Sequence, residues 1–180
     1  DRLSWSNLAI LADSRLSKHG AVRLVSCCGD NDRWIQAAEL TVLELPVRLC
    51  ATHFTHIKSS SGVRARQLQA EQLANNSQPP AFGLTILGGD LNATLGQPEL
   101  DVLCKFSDRI PPEICDVKRS LLATGSGAAT DVVIDHLFLS RGRDAPAISL
   151  ARQFTALDTP VGPAGEFASD HAAVVADLHF

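Results

Sequence analysis

Four strand-like apolar runs in this 180-residue chain carry clusters of Asp, Asn and His at their ends, and this pattern most constrains its fold. Val47 to Ala51 runs into Thr52-His53. Leu84-Thr85-Ile86-Leu87, bounded upstream by Pro79-Pro80, runs into Gly88-Gly89-Asp90-Leu91-Asn92. Asp131 to Leu139 is interrupted by Asp135-His136, where a strand buried on both faces carries no charge. Ala168-Ser169-Asp170-His171 opens a last run, Ala172 to Leu178. Strands that deliver such residues to their ends imply a site along one edge of a sheet.

The Gly-Gly-Asp-Leu-Asn stretch is the centre of that pattern. Two glycines allow a tight turn after the strand, and at strand spacing Asp90 and Asn92 face the same way. Such a pair offers a charged acceptor, able to orient water or bind a metal, beside a neutral donor for a developing oxyanion. An Asx-rich turn with no chemistry has the same composition.

The order of the motifs resembles the endonuclease/exonuclease/phosphatase family, the metal-dependent phosphoesterases that include the DNase I-like nucleases. Ser6-Asn7-Leu8-Ala9-Ile10-Leu11 is similar to the family's Gly-Asn-Ala-Ile-Leu strand, and Ala51-Thr52-His53-Phe54 to its Thr-His-Leu motif. Gly89-Asp90-Leu91-Asn92, Ile134-Asp135-His136-Leu137-Phe138 and Ser169-Asp170-His171 follow in the family's order and are the most specific part. The resemblance extends from about Ser6 to the C-terminus.

What the resemblance implies is a magnesium-dependent hydrolase, manganese being a second choice, acting on a phosphate ester that includes nucleic acid among the candidates. It gives His171 the part of general base or phosphate stabiliser, oriented by Asp135. Asp170 becomes a magnesium ligand, and Asp90 positions the attacking water or the metal. Asn92 donates to the phosphoryl oxygen, and His53 contacts the phosphate or assists the leaving group. Magnesium, with its preference for oxygen and for substrate phosphates, suits one or two protein carboxylates.

The family's opening, an Asn-bearing strand and a strand ending in Gln-Glu, has no counterpart between Asp1 and Ser6. Asn7 and Glu39 occur in the right order but are rejected as substitutes, because no helix-forming stretch separates them and Glu39 lies in a strand leading into Thr52-His53. The resemblance therefore implies an N-terminally incomplete domain, with missing strands, a covering partner or reduced stability. It also implies a chain that is nearly inactive without the absent Glu. The alternative is an interaction domain that keeps the scaffold and has lost catalysis.

Composition is that of a globular protein, with 45% hydrophobic and 20% charged residues forming one domain over 1–180. No apolar run approaches the roughly 20 residues that span a bilayer. The net charge of −4 argues against nonspecific polyanion binding as the main design. Arg64, Arg66, Lys105, Arg109, Lys118, Arg119, Arg141 and Arg143 are the candidates for a local basic face. Five cysteines, Cys27, Cys28, Cys50, Cys104 and Cys115, show no metal-binding spacing and cannot all pair internally. Reduced core cysteines and a cytoplasmic setting are the default reading.

Along the chain the pattern predicts strands at Leu8–Leu11, Ala21–Cys27, Trp34–Glu44 and, after a break at Pro46, Val47–Thr52. A serine-capped helix from about Val63 to Asn76 follows, with Val63, Ala70, Leu73 and Ala74 on one face. A short helix begins near Gln97 and runs toward Phe106. The segments Ser107–Thr130 and Thr159–Gly165 read as loops. Spacing alone supports an α+β fold with a sandwich core. The resemblance sharpens this to an α/β, four-layer α/β/β/α sandwich of two mainly antiparallel sheets. His53 and His56 lack a third ligand for zinc, His136 alternates to the face opposite Asp135, and Ser169-Asp170-His171 cannot converge as a hydrolase triad.

Overall fold

A computed structural model describes residues 18–26, 32–94, 96–106, 134–147, 149–156 and 173–179. Five strands form one sheet in the order β1 (Lys18–Arg23), β2 (Trp34–Val42), β3 (Leu45–His53), β4 (Leu84–Asp90) and β5 (Asp135–Arg141). The β3–β4 pair is parallel and the other three pairs are antiparallel. Strands β6 (Ser149–Ala156) and β7 (Ala173–His179) pair separately. The expected strand at Leu8–Leu11 lies outside the described residues.

A parallel pair needs a long crossover, and helix α1 (Ser60–Asn76) supplies it between β3 and β4. The helix begins three residues before the expected Val63. Ser59 is extended, and its side chain accepts the Gly62 backbone N–H at 3.4 Å, a serine N-cap. Pro79-Pro80 follows the helix end, where proline cannot continue the ladder. Ala70, Leu73 and Ala74 are buried as expected, but Ala65, Arg66 and Gln69 are buried too. Helix α2 (Asp101–Phe106) is shorter than predicted, because residues 96–100 form turns.

Strand boundaries differ from expectation in three places: β1 spans Lys18–Arg23 and not Ala21–Cys27, with residues 24–26 outside any strand, and the other two lie at the β2–β3 hairpin. Strand β2 ends at Val42, and Leu43 and Glu44 form a two-residue turn with φ of 48° and 66°, the left-handed geometry that matches strand twist in tight hairpins. Pro46 does not break the sheet but pairs with Thr41 inside β3. Val42 and Leu45 close the hairpin, so at the next pair neither N–H points across the ladder, and a missing donor there costs nothing.

Alternation along the strands separates two apolar faces. One carries Ile35, Cys50, Leu87 and Phe138 and packs with Ala70, Leu73 and Ala74 of α1 and Leu103 of α2. The other carries Leu40, Val47, Leu84 and Leu139, with Leu49, Ile86 and Leu178 of β7 against them. Burial raises the Cys50 thiol pKa above the ordinary range, consistent with a core cysteine, whereas Cys104 is exposed. Among the described residues no helix is long and apolar enough to cross a membrane.

Candidate functional site at the end of three strands

The site grows out of the sheet register. Reading across β3, β4 and β5, successive rungs are Leu49–Ile86–Leu139, Ala51–Gly88–Leu137 and His53–Asp90–Asp135. Because side chains alternate, all three rungs lie on the face that carries Leu84 and Leu178. Two apolar rungs thus lead to a polar one, and the polar rung is the last of each strand pair. Gly88 lies between Ala51 and Leu137, where a Cβ would stand 2.5 Å from the Leu137 side chain, so the glycine makes room in that rung.

His53 Nε2 stands 3.3 Å from Asp90 Oδ2. The Asp90 side chain is 17% exposed and that of His53 43%, which places the carboxylate beneath a more open imidazole. Asp90 Oδ1 accepts the Asn92 backbone N–H at 2.8 Å. Gly89 adopts φ of 145°, and a Cβ there would lie 1.8 Å from the Thr52 carbonyl oxygen. Only glycine lets β4 approach β3 this closely just before Asp90.

Asn92 departs from the strand-spacing expectation. Strand β4 ends at Asp90, and Asn92 is left-handed at φ 49°, a conformation asparagine tolerates better than most residues. Its side-chain amide donates to the Phe54 carbonyl at 3.1 Å, while Phe54 N–H donates to the Asp90 carbonyl at 2.9 Å. Asn92 therefore ties the two strand ends together instead of sharing a strand face with Asp90.

A second set of bonds holds the segment after His53. Gln69 accepts the Thr55 N–H at 3.0 Å, and Arg66 donates to the carbonyls of Thr55 and Ile57 at 3.2 and 2.8 Å. Arg66 also forms a buried ion pair with Glu99 at 3.0 Å, both side chains under 8% exposed. Arg66 thus leaves the candidate basic face: the helix buries it, and it joins the segment after β3 to the turn that precedes α2. The signal was present, since Arg66, Gln69, Ala70 and Leu73 follow the i, i+3, i+4, i+7 spacing of one helix face. A charge at the first position hid it.

Of the remaining candidates, Arg64 reaches Gln67, and Arg141 donates to the Pro146 carbonyl. Arg109, Lys118 and Arg119 lie outside the described residues. Glu39 pairs with Arg48 at 2.6 Å, five residues before His53, so it stands away from the polar rung. His136 is 1% exposed, on the helix side, and its Nε2 lies 2.8 Å from the Ala93 carbonyl. It is the structural histidine that alternation implies. His56 Nδ1 lies 3.1 Å from an Arg33 nitrogen.

Asn7, Asp170 and His171 lie outside the described residues. Among the described residues, no group of three or more His, Cys, Asp or Glu is placed to hold a metal ion. The Asp90 carboxylate is an oxygen donor of the right kind for magnesium, but a complete site needs further ligands from outside this rung.

No family model and no curated protein matches the sequence. Solved structures do. TDP2 from D. rerio, complexed with a single-strand DNA product, superposes with a TM-score of 0.70 at 15% identity, over 92% of this chain and 68% of that one. An endonuclease/exonuclease/phosphatase family protein from Bacteroides thetaiotaomicron gives 0.67 at 19% identity, over 91% and 63%. The chain has the DNase I-like fold. Sphingomyelinase C from Streptomyces griseocarneus shares the endonuclease/exonuclease/phosphatase fold to the same degree, at a TM-score of 0.67 and 19% identity, over 91% and 64%. The chain spans about two thirds of the length of these proteins.

Proposed function

We propose that this chain is a metal-dependent phosphoesterase that hydrolyses a phosphodiester or phosphomonoester with magnesium, or manganese in its place. The observation that carries the reading is the polar rung His53–Asp90–Asp135, with His53 Nε2 3.3 Å from Asp90 Oδ2 at the ends of two parallel strands. The fold shared with TDP2 and sphingomyelinase C supports a phosphate ester as substrate, nucleic acid included. It also favours a second sheet, containing β6 and β7, in a four-layer α/β/β/α sandwich.

In this reading a water oxygen bonds to phosphorus, the ester P–O bond breaks, and the leaving alcohol takes up a proton. His171 accepts the water proton, with Asp135 fixing its tautomer and orientation. Asp90 orients the water, Asn92 holds the loop around the phosphoryl oxygen, and His53 contacts the phosphate. Asp170 and Asp90 would hold the magnesium, which would supply positive charge to the phosphoryl oxygens.

The test is turnover of bis-nitrophenyl phosphate and of plasmid DNA with and without divalent metal. Metal-dependent turnover lost in Asp90→Asn is the expected result. Turnover that is independent of metal, or turnover unchanged by Asp90→Asn, overturns it, whereas weak turnover is what a chain lacking the family's Glu is expected to give; magnesium titration with no response at Asp90 or Asp170 removes the metal assignment.

A further inference from the structure

The polar rung does not stop at His53. Ile35 pairs with Thr52, so the next position on β2, Trp34, lies beside His53, and Trp34 itself pairs with Arg23 of β1. Trp34, Ala38 and Leu40 alternate onto one strand face, the face on which Leu40 packs with Val47 and Leu84. The row Arg23, Trp34, His53, Asp90, Asp135 therefore crosses all five strands on a single face at a single end.

The two added residues have the chemistry of a binding surface. Trp34 is partly exposed, so part of the indole stays open to a flat partner. The Arg23 side chain is 59% exposed and pairs with Asp32, itself 38% exposed. An open ion pair of this kind is weak enough for a phosphate to compete for the guanidinium. At about 4.8 Å per strand, Trp34 stands about 10 Å and Arg23 about 14 Å from Asp90. A small phosphate ester held at Asp90 cannot reach both; a chain that continues past the scissile bond can.

We propose that Trp34 and Arg23 form a subsite for single-stranded nucleic acid flanking the scissile phosphate, Trp34 stacking a base and Arg23 meeting a neighbouring phosphate. A planar ring on every repeat and a charge on every repeat are what this spacing reads, and a lipid chain offers neither. Base stacking on an aromatic side chain tolerates any sequence, so the subsite sets substrate class and not base identity. The inference rests on the phosphoesterase reading for its biological sense, but binding can be measured without turnover.

The experiment titrates the protein, with Trp5→Phe as background so that Trp34 is the sole tryptophan, with an eight-nucleotide thymidine strand and an abasic strand of equal length. The thymidine strand quenches Trp34 fluorescence and binds about 10-fold more tightly than the abasic strand. Fluorescence anisotropy of fluorescein-labelled strands reads the variants, since those at Trp34 carry no tryptophan: Trp34→Ala removes that difference, Trp34→Phe retains most of it, and Arg23→Gln weakens both strands and lowers the salt dependence by about one unit of slope. Equal binding of the two strands, or an unchanged preference in a folded Trp34→Ala protein, overturns the subsite. Loss of bis-nitrophenyl phosphate turnover without change in strand binding falls on the phosphoesterase reading instead.

Discussion

His53 and Asp90 are register partners on adjacent parallel strands, and their side chains meet at 3.3 Å although 37 positions separate them in sequence. Each depends on the other for orientation, so they should behave as a unit. Under the proposed function, Asp90→Asn should lower kcat/KM at least about 100-fold, the scale on which lost catalytic electrostatics acts. His53→Ala lowers it less, and the double variant falls little below Asp90→Asn alone. Steady-state kinetics on bis-nitrophenyl phosphate checks this; fully additive losses contradict it.

Asp135 completes the rung, and its proposed partner is His171. A half-buried carboxylate at the start of β5 is stabilised by a hydrogen-bonding partner. Asp135→Asn and His171→Ala should each reduce turnover, with the double variant close to the poorer single one. Proton NMR of the His171 ring offers an independent check: its titration shifts to lower pH in Asp135→Asn, because removing a nearby negative charge disfavours the imidazolium. An unmoved titration dissolves the pair.

The Arg66–Glu99 ion pair is buried and is surrounded by bonds from Arg66 to the Thr55 and Ile57 carbonyls. Removing one partner strands the other charge, so Arg66→Ala should destabilise the fold by about 3–5 kcal/mol. Replacing both, as Arg66→Met with Glu99→Leu, should recover part of that loss. Urea denaturation of the three variants decides it, and a single variant of wild-type stability contradicts the account.

Gly89 brings the two strands together ahead of Asp90. At φ 145° any side chain is strained, and the 1.8 Å approach to the Thr52 carbonyl forces β3 and β4 apart. Gly89→Ala should cost about 2 kcal/mol or more in stability. It should also weaken the His53–Asp90 contact, so activity falls further than the folded fraction measured by circular dichroism. Normal activity in a stable Gly89→Ala protein contradicts this.

Local pattern in the sequence determined much of the sheet. Apolar runs bounded by turn residues marked β2, β3, β4 and β5, because alternation and the exclusion of charge from buried strands act residue by residue. The serine cap of α1 and its stop before Pro79-Pro80 were legible for the same reason: both are bonds within a few residues. So was the role of His136, which follows from the two-residue period that sets it opposite Asp135.

Only the tertiary structure decided which strand ends meet. His53 lies beside Asp90 because α1 returns the chain to pair β4 parallel with β3, and no local pattern encodes that register. Arg66 reads as a surface charge until packing of α1 buries it against Glu99, and Asn92 reads as a strand residue until the turn after Asp90 sends its amide to Phe54. Trp34 looks like one more strand residue until five strands align it with Asp90. In each case the deciding interaction joins residues distant in sequence, which local propensity cannot rank but burial and hydrogen-bond satisfaction in the assembled sheet can.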